Sequence, residues 1–404
     1  MKFLDLGPHP PADDFLTEEG LKKEETRYPL QVYICDNCSL VQLGYVVSPQ
    51  ILYQRDYPYV SSTTNTGKKH FHSFAEESLE ICRELGLSSR NRASLGLVVD
   101  IGSNVGVLLE GFKKKDMQVL GVDPAPNICK IANERGIPTF NAFFNEDTAR
   151  RIKDEKGKAR IITGTNVVAH INDLHALVRA VDDLMEEGGV FIFEAPYLVD
   201  LIDNLEYDTI YHEHLSYLSV KPLMRLFDKF NMQIFNIIKK DIHGGSLRYF
   251  VSRKKDYKIS ESVTQFIALE EESKIYEPAT LKQFAENVEN NRRELLVLLQ
   301  SLKGNKKRVA GVGAPAKGMT LLNYCKIGPE TLDFITEKSD LKIGRFTPGM
   351  HIPVVPDSKL MEKKPDYAFL LAWNFADEIM QNLKEYTNSG GRFIIPIPKP
   401  RIIG

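Results

Sequence analysis

The sequence predicts an α/β protein in which a small, irregular N-terminal module precedes two units that each contain a sheet of mainly parallel strands. Apolar strands alternate with amphipathic helices from Leu97 onward, and a second alternation begins at Arg308. Between them, residues 256–302 are charged and free of glycine, a pattern typical of long helices. Because 404 residues exceed what one core normally uses, we expect two or three domains. We place the boundaries so that the domains cover residues 1–72, 73–255 and 256–404.

The composition excludes several classes of protein. Lysine and arginine total 52 against 54 acidic residues, so the chain has no overall basic field that would attract nucleic acid or anionic lipid. A hydrophobic content of 43% is too high for a disordered chain, and no segment approaches the roughly 20 apolar residues of a membrane span. Five cysteines are too few for a disulfide scaffold. We therefore expect a cytoplasmic protein with a small-molecule substrate and neither a nucleic-acid nor a membrane partner. We also expect a monomer, although composition does not determine the oligomeric state.

The predicted elements follow the chain in order. In the N-terminal module, residues 31–34 and 40–43 have the pattern of short strands, and residues 73–87 have that of a helix. The first alternation places strands at residues 97–100, 118–122, 159–163 and 190–194. The runs at residues 233–238 and 247–252 are expected to form an antiparallel pair that closes this sheet. The second alternation places strands at residues 308–311, 331–335, 367–371 and 392–395.

The strongest local motif joins the first of the alternating strands to the helix after it. In Asp100-Ile101-Gly102-Ser103-Asn104-Val105-Gly106, the strand ends in an acid and turns through two glycines toward a helix beginning near Val107. Glycine permits a tight turn and lets a ligand approach the backbone. Roughly 20 residues later the next strand ends at Asp123, where a carboxylate can accept hydrogen bonds from both ribose hydroxyls.

The negative charge of an acid in this motif favours one class of cofactor over another. The acid before the first glycine, Asp100, suits a cationic sulfonium with an amino-acid tail and would repel a pyrophosphate. The spacing also lacks the three glycines of the dinucleotide pattern. We therefore predict S-adenosylmethionine, bound by Asp100, Gly102, Ser103, Asn104, Gly106, Asp123 and Pro124. A nicotinamide cofactor and a plain strand-to-helix turn beside a solvated Asp123 stay open as alternatives.

A second glycine-rich loop follows the strand predicted at residues 308–311. In Gly311-Val312-Gly313-Ala314-Pro315-Ala316-Lys317-Gly318, small residues and one lysine precede a helix, so backbone amides could cradle a phosphate. The full phosphate-loop spacing, with Ser or Thr after the lysine, is not present. Phosphate binding and an ordinary glycine-rich turn both fit this loop.

The segment Tyr211-His212-Glu213-His214-Leu215-Ser216-Tyr217 is the candidate catalytic motif. Histidine accepts a proton near neutral pH and a glutamate can orient an imidazole, so the cluster suits general base catalysis. It does not match the zinc-peptidase helix, whose two histidines are four residues apart with a glutamate between them. In the structural alternative, His212 and His214 only satisfy buried hydrogen bonds.

This motif resembles the Tyr-His-Glu-His motif of the sugar C-methyltransferases that act on nucleotide-linked 4-keto deoxysugars. The resemblance extends over nearly the whole chain, and its further motifs stand in order. They are Phe3-Leu4-Asp5-Leu6-Gly7, Tyr28-Pro29-Leu30, Ser61-Ser62-Thr63, the loop from Asp100 to Gly106, the segment from Asn166 to His170, Glu194-Ala195-Pro196-Tyr197, His243-Gly244-Gly245-Ser246-Leu247-Arg248, Gly313-Ala314-Pro315-Ala316-Lys317-Gly318 and Pro348-Gly349-Met350-His351-Ile352-Pro353.

The resemblance implies a zinc-ribbon-like N-terminal module, a central class I S-adenosylmethionine methyltransferase domain of Rossmann type, and a C-terminal Rossmann-like domain that holds a nucleotide sugar. His214 would be the base that removes the proton from sugar C3, giving an enolate whose carbon takes the methyl group. Tyr211, Glu213 and His170 would line the same pocket, and Asn166 would join the cofactor residues. Predicted contacts to the nucleotide sugar are Lys317, Asn323, Tyr324, His243 and Arg248.

The chain departs from the family at its metal site. Such enzymes usually bind zinc through two Cys-x-x-Cys pairs, and this chain has only Cys35-Asp36-Asn37-Cys38. Tetrahedral structural zinc takes four ligands. We therefore predict Cys35 and Cys38 as a half-site. Either its first pair would lie before Met1, or the site has been lost, or other groups complete it, for which His9 is a candidate. In the structural alternative, Cys35 and Cys38 are two reduced thiols at the turn of a hairpin.

Three other functions fit parts of the same pattern. The acceptor could be a hydroxyl or amine of a nucleotide sugar, because sequence does not distinguish a base facing a heteroatom from one facing carbon. A binding protein without catalysis would retain the fold, although Asp100, Asp123 and His214 argue against it. A nicotinamide-dependent oxidoreductase could use either glycine loop.

Overall fold

The computed structural model describes residues 1–54, 57–58, 61, 65–84, 96–242 and 244–404. Its strands are β1 Lys2–His9, β2 Tyr28–Ile34, β3 Val41–Leu43, β4 Leu97–Ile101, β5 Gln118–Asp123, β6 Thr139–Asn141, β7 Ala159–Thr165, β8 Met185–Pro196, β9 Ser216–Tyr217, β10 Met232–Lys240, β11 Ser246–Arg253, β12 Val309–Val312, β13 Ile335–Glu337, β14 Val354–Pro356, β15 Tyr367–Leu370, β16 Arg392–Ile395 and β17 Arg401–Ile403.

The helices pack around these strands. They are α1 Pro49–Tyr53, α2 Asn65–Glu84, α3 Val107–Lys113, α4 Pro126–Glu134, α5 Glu146–Lys156, α6 Leu174–Leu184, α7 Leu198–Asp203, α8 Val220–Asp228, α9 Glu261–Glu272, α10 Pro278–Gly304, α11 Ala316–Cys325, α12 Ser358–Lys363, α13 Ala376–Asn382 and α14 Lys384–Asn388. Within the described ranges, every helix is too short or too polar to cross a lipid bilayer.

The first sheet is antiparallel, with strand order β1-β2-β3-β9. β2 and β3 confirm the two short strands predicted in the N-terminal module. β1 is not predicted because its register shifts between Asp5 and Pro8 and Gly7 has φ +80°, which interrupts the alternation begun by Leu4 and Leu6. β9 joins this sheet from far along the chain, directly after His214, so the sheet holds the candidate catalytic motif in place.

The second sheet has the order β10-β11-β8-β7-β4-β5-β6. β4, β5, β6, β7 and β8 pair in parallel, whereas β11 pairs antiparallel with both β8 and β10. The predicted alternation and the closing antiparallel pair are therefore confirmed. β4 is buried at every position because it is central and covered on both faces, as in other parallel sheets.

Two helices follow the second sheet, as the glycine-free segment predicts. α10 buries residues three or four apart, including Leu281, Phe284 and Val288. Its buried Asn291 donates to the carbonyl oxygens of Pro396 and Pro398 at 2.9 and 2.8 Å. The hydroxyl of Tyr207 donates to Asn291 at 2.8 Å, so α10 ties the third sheet to the catalytic region.

The third sheet has the order β14-β13-β12-β15-β16-β17, with only β17 antiparallel to its neighbour among the described strands. β12, β15 and β16 confirm three predicted strands. The strand predicted at residues 331–335 is wrong, because Thr331 and Leu332 form a turn onto the Gly328 carbonyl and β13 begins at Ile335. From β12 the chain continues to β13 and β14 on one side of β12, and then crosses to β15 on the other side. The direction of strand order reverses here, so a topological switch point lies beside β12.

The domain boundaries remain predictions. Helix α2 confirms the helix expected at residues 73–87, but it begins at Asn65 and continues across residue 72. The last predicted positions of that helix, residues 85–87, lie outside the described residues.

Candidate active site

A cavity of about 590 Å³ lies where the carboxyl ends of the second and third sheets meet. β4, β5 and β7 end at it with Ile101, Asp123 and Thr165, and the loops after β12 and β15 reach it with Pro315 and Ala372. Ligands of parallel α/β sheets bind at this edge, near the switch point. The fold thus brings both predicted glycine loops to one cavity.

Most residues predicted from sequence line this cavity. Of the predicted cofactor residues, the lining includes Asp100, Gly102, Ser103, Asn104, Asp123, Pro124 and Asn166. Of the predicted catalytic and substrate residues, it includes His170, Tyr211, Glu213, His214 and Lys317. Gly106 is not in the described lining, and a Cβ there would clash with Ile137, so glycine lets the loop pack against this side chain. The contact of Gly106 with the cofactor stays a prediction.

The loop after β4 is held against β5 by one carboxylate. Gly102 and Gly106 have φ of +66° and +81°, in the left-handed region that glycine adopts without strain. Asp123 accepts the backbone N–H of Asn104 at 2.9 Å and that of Ala125 at 2.9 Å. These bonds fix the loop in the shape that opens it to the cavity.

The acids at the ends of β4 and β5, Asp100 and Asp123, are buried, so their ionised forms lose the stabilisation that water would give. Asp100 accepts a 2.7 Å hydrogen bond from Thr163, and burial raises the pKa of Asp100 to about 7. Burial likewise raises the pKa of Asp123 to about 6, although its two N–H donors lower it. Two buried carboxylates favour a ligand that brings positive charge and hydroxyl donors.

Polar atoms without partners lie beside the loop and show which chemical groups a bound cofactor would have to supply. The side-chain oxygens of Thr165 and Asn166 are buried without a hydrogen-bond partner among the described residues. Asn166 has φ +57°, and its N–H donates to the Glu194 carbonyl at 2.8 Å, so its side chain is held at the cavity. Acceptors and acids together fit S-adenosylmethionine, which carries an ammonium group, a sulfonium and ribose hydroxyls.

His214 is fixed in one tautomer by its backbone partner. Its Nδ1 lies 2.8 Å from the carbonyl oxygen of Thr209, which can only accept, so Nδ1 carries the hydrogen. In the neutral ring Nε2 then has a lone pair, and it accepts from the Tyr211 hydroxyl at 2.8 Å. The motif folds this way because the N–H of His214 donates to the Tyr211 carbonyl, which closes a turn between the two rings. Nε2 therefore carries the lone pair of this ring.

The neighbouring histidines have different environments. His170 lines the cavity with its ring centroid 5.0 Å from that of His214, and burial lowers its pKa well below the usual value. His212 points away, with Nε2 3.2 Å from the Tyr28 carbonyl, and is buried. His212 therefore satisfies a buried hydrogen bond, as the structural alternative to catalysis expects.

Two tyrosines of the N-terminal module complete the site and were missed by sequence reasoning. The Tyr57 hydroxyl donates to the buried Glu213 carboxylate at 2.8 Å, and the Tyr53 hydroxyl lies 3.1 Å from His170 Nδ1. Asn127 holds the Tyr57 backbone by accepting its N–H and donating to its carbonyl. The only sequence signal was the density of tyrosine near α1.

Two lysines also line the cavity, Lys317 half-buried and Lys342 buried. Lys317 Nζ lies 3.6 Å from Asp208 and 4.0 Å from the centroid of the Trp373 ring, whose N–H donates to Asp208 at 2.7 Å. Burial lowers the pKa of Lys317, whereas Asp208 raises it. Lys342, which the sequence analysis missed, donates to Asp13 at 3.1 Å.

Three predicted substrate contacts, Asn323, Tyr324 and Arg248, are not in the described lining, and the fourth, His243, cannot be compared because it lies outside the described residues. Asn323 donates to the carbonyls of Met319 and Pro348 and so braces its own helix against the following loop. Tyr324 donates to Glu289 at 2.9 Å. Arg248 is in the protein core, and His243 lies outside the described residues.

Arg248 is the centre of a buried ion cluster. Its guanidinium donates to Glu194 at 3.0 and 2.8 Å and to Glu77 at 2.8 Å, and it lies 3.8 Å from the centroid of the Phe74 ring. His70 contacts the other oxygen of Glu194 at 2.6 Å. The cluster joins α2 to β8 and β11, so Arg248 has a structural role in place of the predicted substrate contact.

Replacing Arg248 with methionine should lower the free energy of unfolding by about 3–5 kcal/mol, because the buried Glu194 loses its cation. Urea denaturation measures this change. Arg150→Met is the matched control, since Arg150 and its partner Asp147 are 63% and 88% exposed and should change stability by less than about 0.5 kcal/mol. Equal stability of the two variants would contradict this role.

The described residues do not fit a four-ligand zinc site. Cys35 and Cys38 are half-buried thiols, and no group of three or more His, Cys, Asp or Glu side chains in the described ranges could hold a metal ion. Backbone hydrogen bonds from Cys38 and Asn37 lower the pKa of Cys35, whereas burial raises that of Cys38. The pair remains a half-site, and His9 bonds to the Leu6 carbonyl at 2.9 Å.

Three family models match successive parts of the chain. They are described as "Putative zinc binding domain" over residues 1–53, "Methyltransferase domain" over residues 71–236 and "C-methyltransferase C-terminal domain" over residues 241–398. These matches agree with a zinc-binding-like module, a class I methyltransferase domain and a C-terminal α/β domain.

Individual proteins show the same relationship. The C-methyltransferase NovU of Streptomyces niveus is 36% identical over 401 residues, which cover 99% of this chain and 93% of that protein. A ubiquinone biosynthesis O-methyltransferase of Methylobacterium nodulans is 27% identical over 117 residues, 28% of this chain and 46% of that protein. The structure of magnesium protoporphyrin IX methyltransferase from Synechocystis PCC 6803 with bound SAH aligns at a TM-score of 0.35 and 14% identity, covering 46% of this chain and 83% of that one.

The similarity to NovU covers 99% of the chain. The methyltransferase model, over residues 71–236, includes both Asp100 and Asp123. The resemblance found in the sequence is confirmed at the level of the family, and so is the cofactor. The chain belongs to the C-methyltransferases that use S-adenosylmethionine.

Proposed function

We propose that this enzyme methylates carbon C3 of a nucleotide-linked 4-keto deoxysugar through an enolate, with His214 as the general base. The observation that supports the proposal most directly is the fixed tautomer of His214, which lines the same cavity as Asp100, Asp123, Lys317 and Lys342. The similarity to NovU supports carbon as the acceptor atom.

A ketone makes the neighbouring C–H acidic, and the residues of the site fit its removal. The Tyr211 hydroxyl, which donates to Nε2 in the free enzyme, turns away and frees the lone pair. The proton then passes from C3 to His214 Nε2, and the C–H electron pair becomes the enolate. The Thr209 carbonyl stabilises the resulting imidazolium through Nδ1–H. S-adenosylmethionine, when bound, supplies an electrophilic methyl group and leaves as a neutral thioether. Tyr53 and Tyr57 line the cavity and bond to His170 and Glu213, so they hold these two side chains in place.

Charge supports a nucleoside diphosphate as the carrier of the sugar. Lys317 and Lys342 line the cavity beside the start of α11, and each is paired with one buried acid, Asp208 or Asp13. In the free protein, each lysine charge is compensated by its paired acid. An anion that binds near both lysines can accept charge-assisted hydrogen bonds from them. The switch point beside β12 is also where α/β sheets hold nucleotides.

Mass spectrometry of the product tests this function. A thymidine-diphosphate 4-keto deoxysugar incubated with the enzyme and S-adenosylmethionine should gain one methyl group, which fragmentation should place on the carbon next to the ketone. A methyl group on oxygen or nitrogen would support the rival acceptor instead. Absence of any mass gain, with cofactor binding demonstrated, would reject the nucleotide ketosugar as substrate.

Replacing Lys317 with methionine should raise the KM for the nucleotide sugar by about 10–100-fold, because a buried charge-assisted bond to phosphate is lost. Affinity for S-adenosylmethionine should not change. Trp373, the one tryptophan of the chain, should report binding of the sugar nucleotide through fluorescence, since its indole contacts both Lys317 and Asp208. The control is Lys359→Met on the exposed face of α12. A KM equal to that of the control would contradict the assignment.

A further inference from the structure

The N-terminal module provides a hydroxyl group that acts on the second histidine of the cavity. The ring of Tyr53 is nearly parallel to that of His170, at 10° and 6.2 Å between centroids, and its hydroxyl lies 3.1 Å from Nδ1. The other ring nitrogen, Nε2, is buried without a partner among the described residues. His170 lines the cavity with its ring centroid 5.0 Å from that of His214, so an unpaired group on this ring lies beside the proposed base.

Counting hydrogen-bond partners decides the tautomer of His170. If Tyr53 donates to Nδ1, the hydrogen of the neutral ring is on Nε2, and one group, the Nε2–H, is left for a ligand. If Nδ1–H donates to Tyr53, the buried Nε2 lone pair has no partner in the described part of the chain, and the hydroxyl hydrogen of the half-buried Tyr53 has no acceptor there either. Each unpaired buried group costs about 1–3 kcal/mol, so the first arrangement is favoured.

We propose that Tyr53 is a positioning residue that holds His170 in the Nε2–H tautomer, and that His170 donates from Nε2 to the carbonyl oxygen of the acceptor. This inference rests on the proposed function, because it requires a ketone next to the carbon that is methylated.

The two histidines then have opposite tautomers and complementary tasks. His214 has its lone pair on Nε2 and takes the proton from carbon, while His170 presents an N–H to the oxygen on which the electron pair arrives. The C–H bond breaks, the C=C bond of the enolate forms, and the negative charge on oxygen is met by a neutral donor. A neutral imidazole keeps its proton after donation, and burial that lowers the pKa of His170 keeps the ring neutral.

Replacing Tyr53 with phenylalanine tests the positioning role while keeping the ring. We expect kcat to fall by about 10-fold or more, because the donor is no longer held in its tautomer, with KM for both substrates within about twofold of wild type. The matched control is Tyr249→Phe, which removes a fully buried hydroxyl that has no partner among the described residues. A kcat of Tyr53→Phe equal to that of the control would overturn the proposal.

Nitrogen-15 NMR of the histidine-labelled enzyme reads the tautomer directly and requires no substrate. The His170 signals, assigned by their loss in His170→Asn, should show hydrogen on Nε2 in wild type and a shift toward the Nδ1–H form in Tyr53→Phe. Hydrogen on Nδ1 in wild type would overturn the proposal. Failure of the proposed function is a separate result, since it would appear as absence of ketosugar methylation by the wild-type enzyme.

Discussion

Replacing His214 with asparagine should reduce turnover by about 100-fold or more while leaving affinity for S-adenosylmethionine intact. Asparagine can still donate to the Thr209 carbonyl, but it has no basic nitrogen to replace Nε2. Single-turnover kinetics measures the loss at saturating cofactor, so that reduced binding does not contribute. The effect should be in kcat, because the base acts only as the C–H bond breaks.

The control for this variant is the same substitution at an exposed histidine. His175 is exposed on α6, where it packs only against Phe230 among the ring contacts of the described residues, and His175→Asn should retain wild-type turnover. Calorimetric titration with S-adenosylhomocysteine checks that both variants retain the cofactor site. Wild-type turnover by His214→Asn would remove this residue from the mechanism.

Replacing Asp123 with alanine should weaken S-adenosylmethionine binding by about 10–100-fold. The carboxylate does two things at once: it orders the loop through the N–H groups of Asn104 and Ala125, and it offers its remaining lone pairs to the ribose hydroxyls. Isothermal titration calorimetry measures the dissociation constant. Helix content by circular dichroism should be preserved, because the bonds that are lost lie in one loop.

Asp147→Ala is the matched control for this second variant. Asp147 is in the first turn of α5, with its side chain 88% exposed, and its removal should leave cofactor affinity within about twofold. If Asp123→Ala binds S-adenosylmethionine as tightly as this control, the loop after β4 is not the cofactor site.

The features that sequence could predict are those encoded by neighbouring residues. The turn from Asp100 to Gly106 and the acid at Asp123 depend on local backbone geometry and the end of a strand, so their spacing is informative. The Tyr211 to His214 turn is likewise local, because one backbone hydrogen bond closes it. Strand alternation in both sheets follows from burial of consecutive apolar residues.

The features that sequence missed depend on contacts between distant parts of the chain. Tyr53 is 117 positions from His170, and Lys342 is 329 positions from Asp13, so no local pattern relates them. Arg248 was misassigned for the same reason: an arginine after a glycine turn has the same local pattern whether it faces a ligand or pairs with a buried Glu194. Arg248 is buried only because α2, β8 and β11 pack together, and the local sequence around it does not indicate this packing.

Use of a nucleotide 4-ketosugar that carries deuterium at C3 tests the central claim most directly. Proton removal by His214 followed by methylation at that carbon predicts a product that has gained a methyl group and lost its deuterium to solvent, with both changes suppressed together in His214→Asn. A methylated product that retains the deuterium at C3 would contradict the account, because the methyl group would then lie on another atom and no enolate would have formed there.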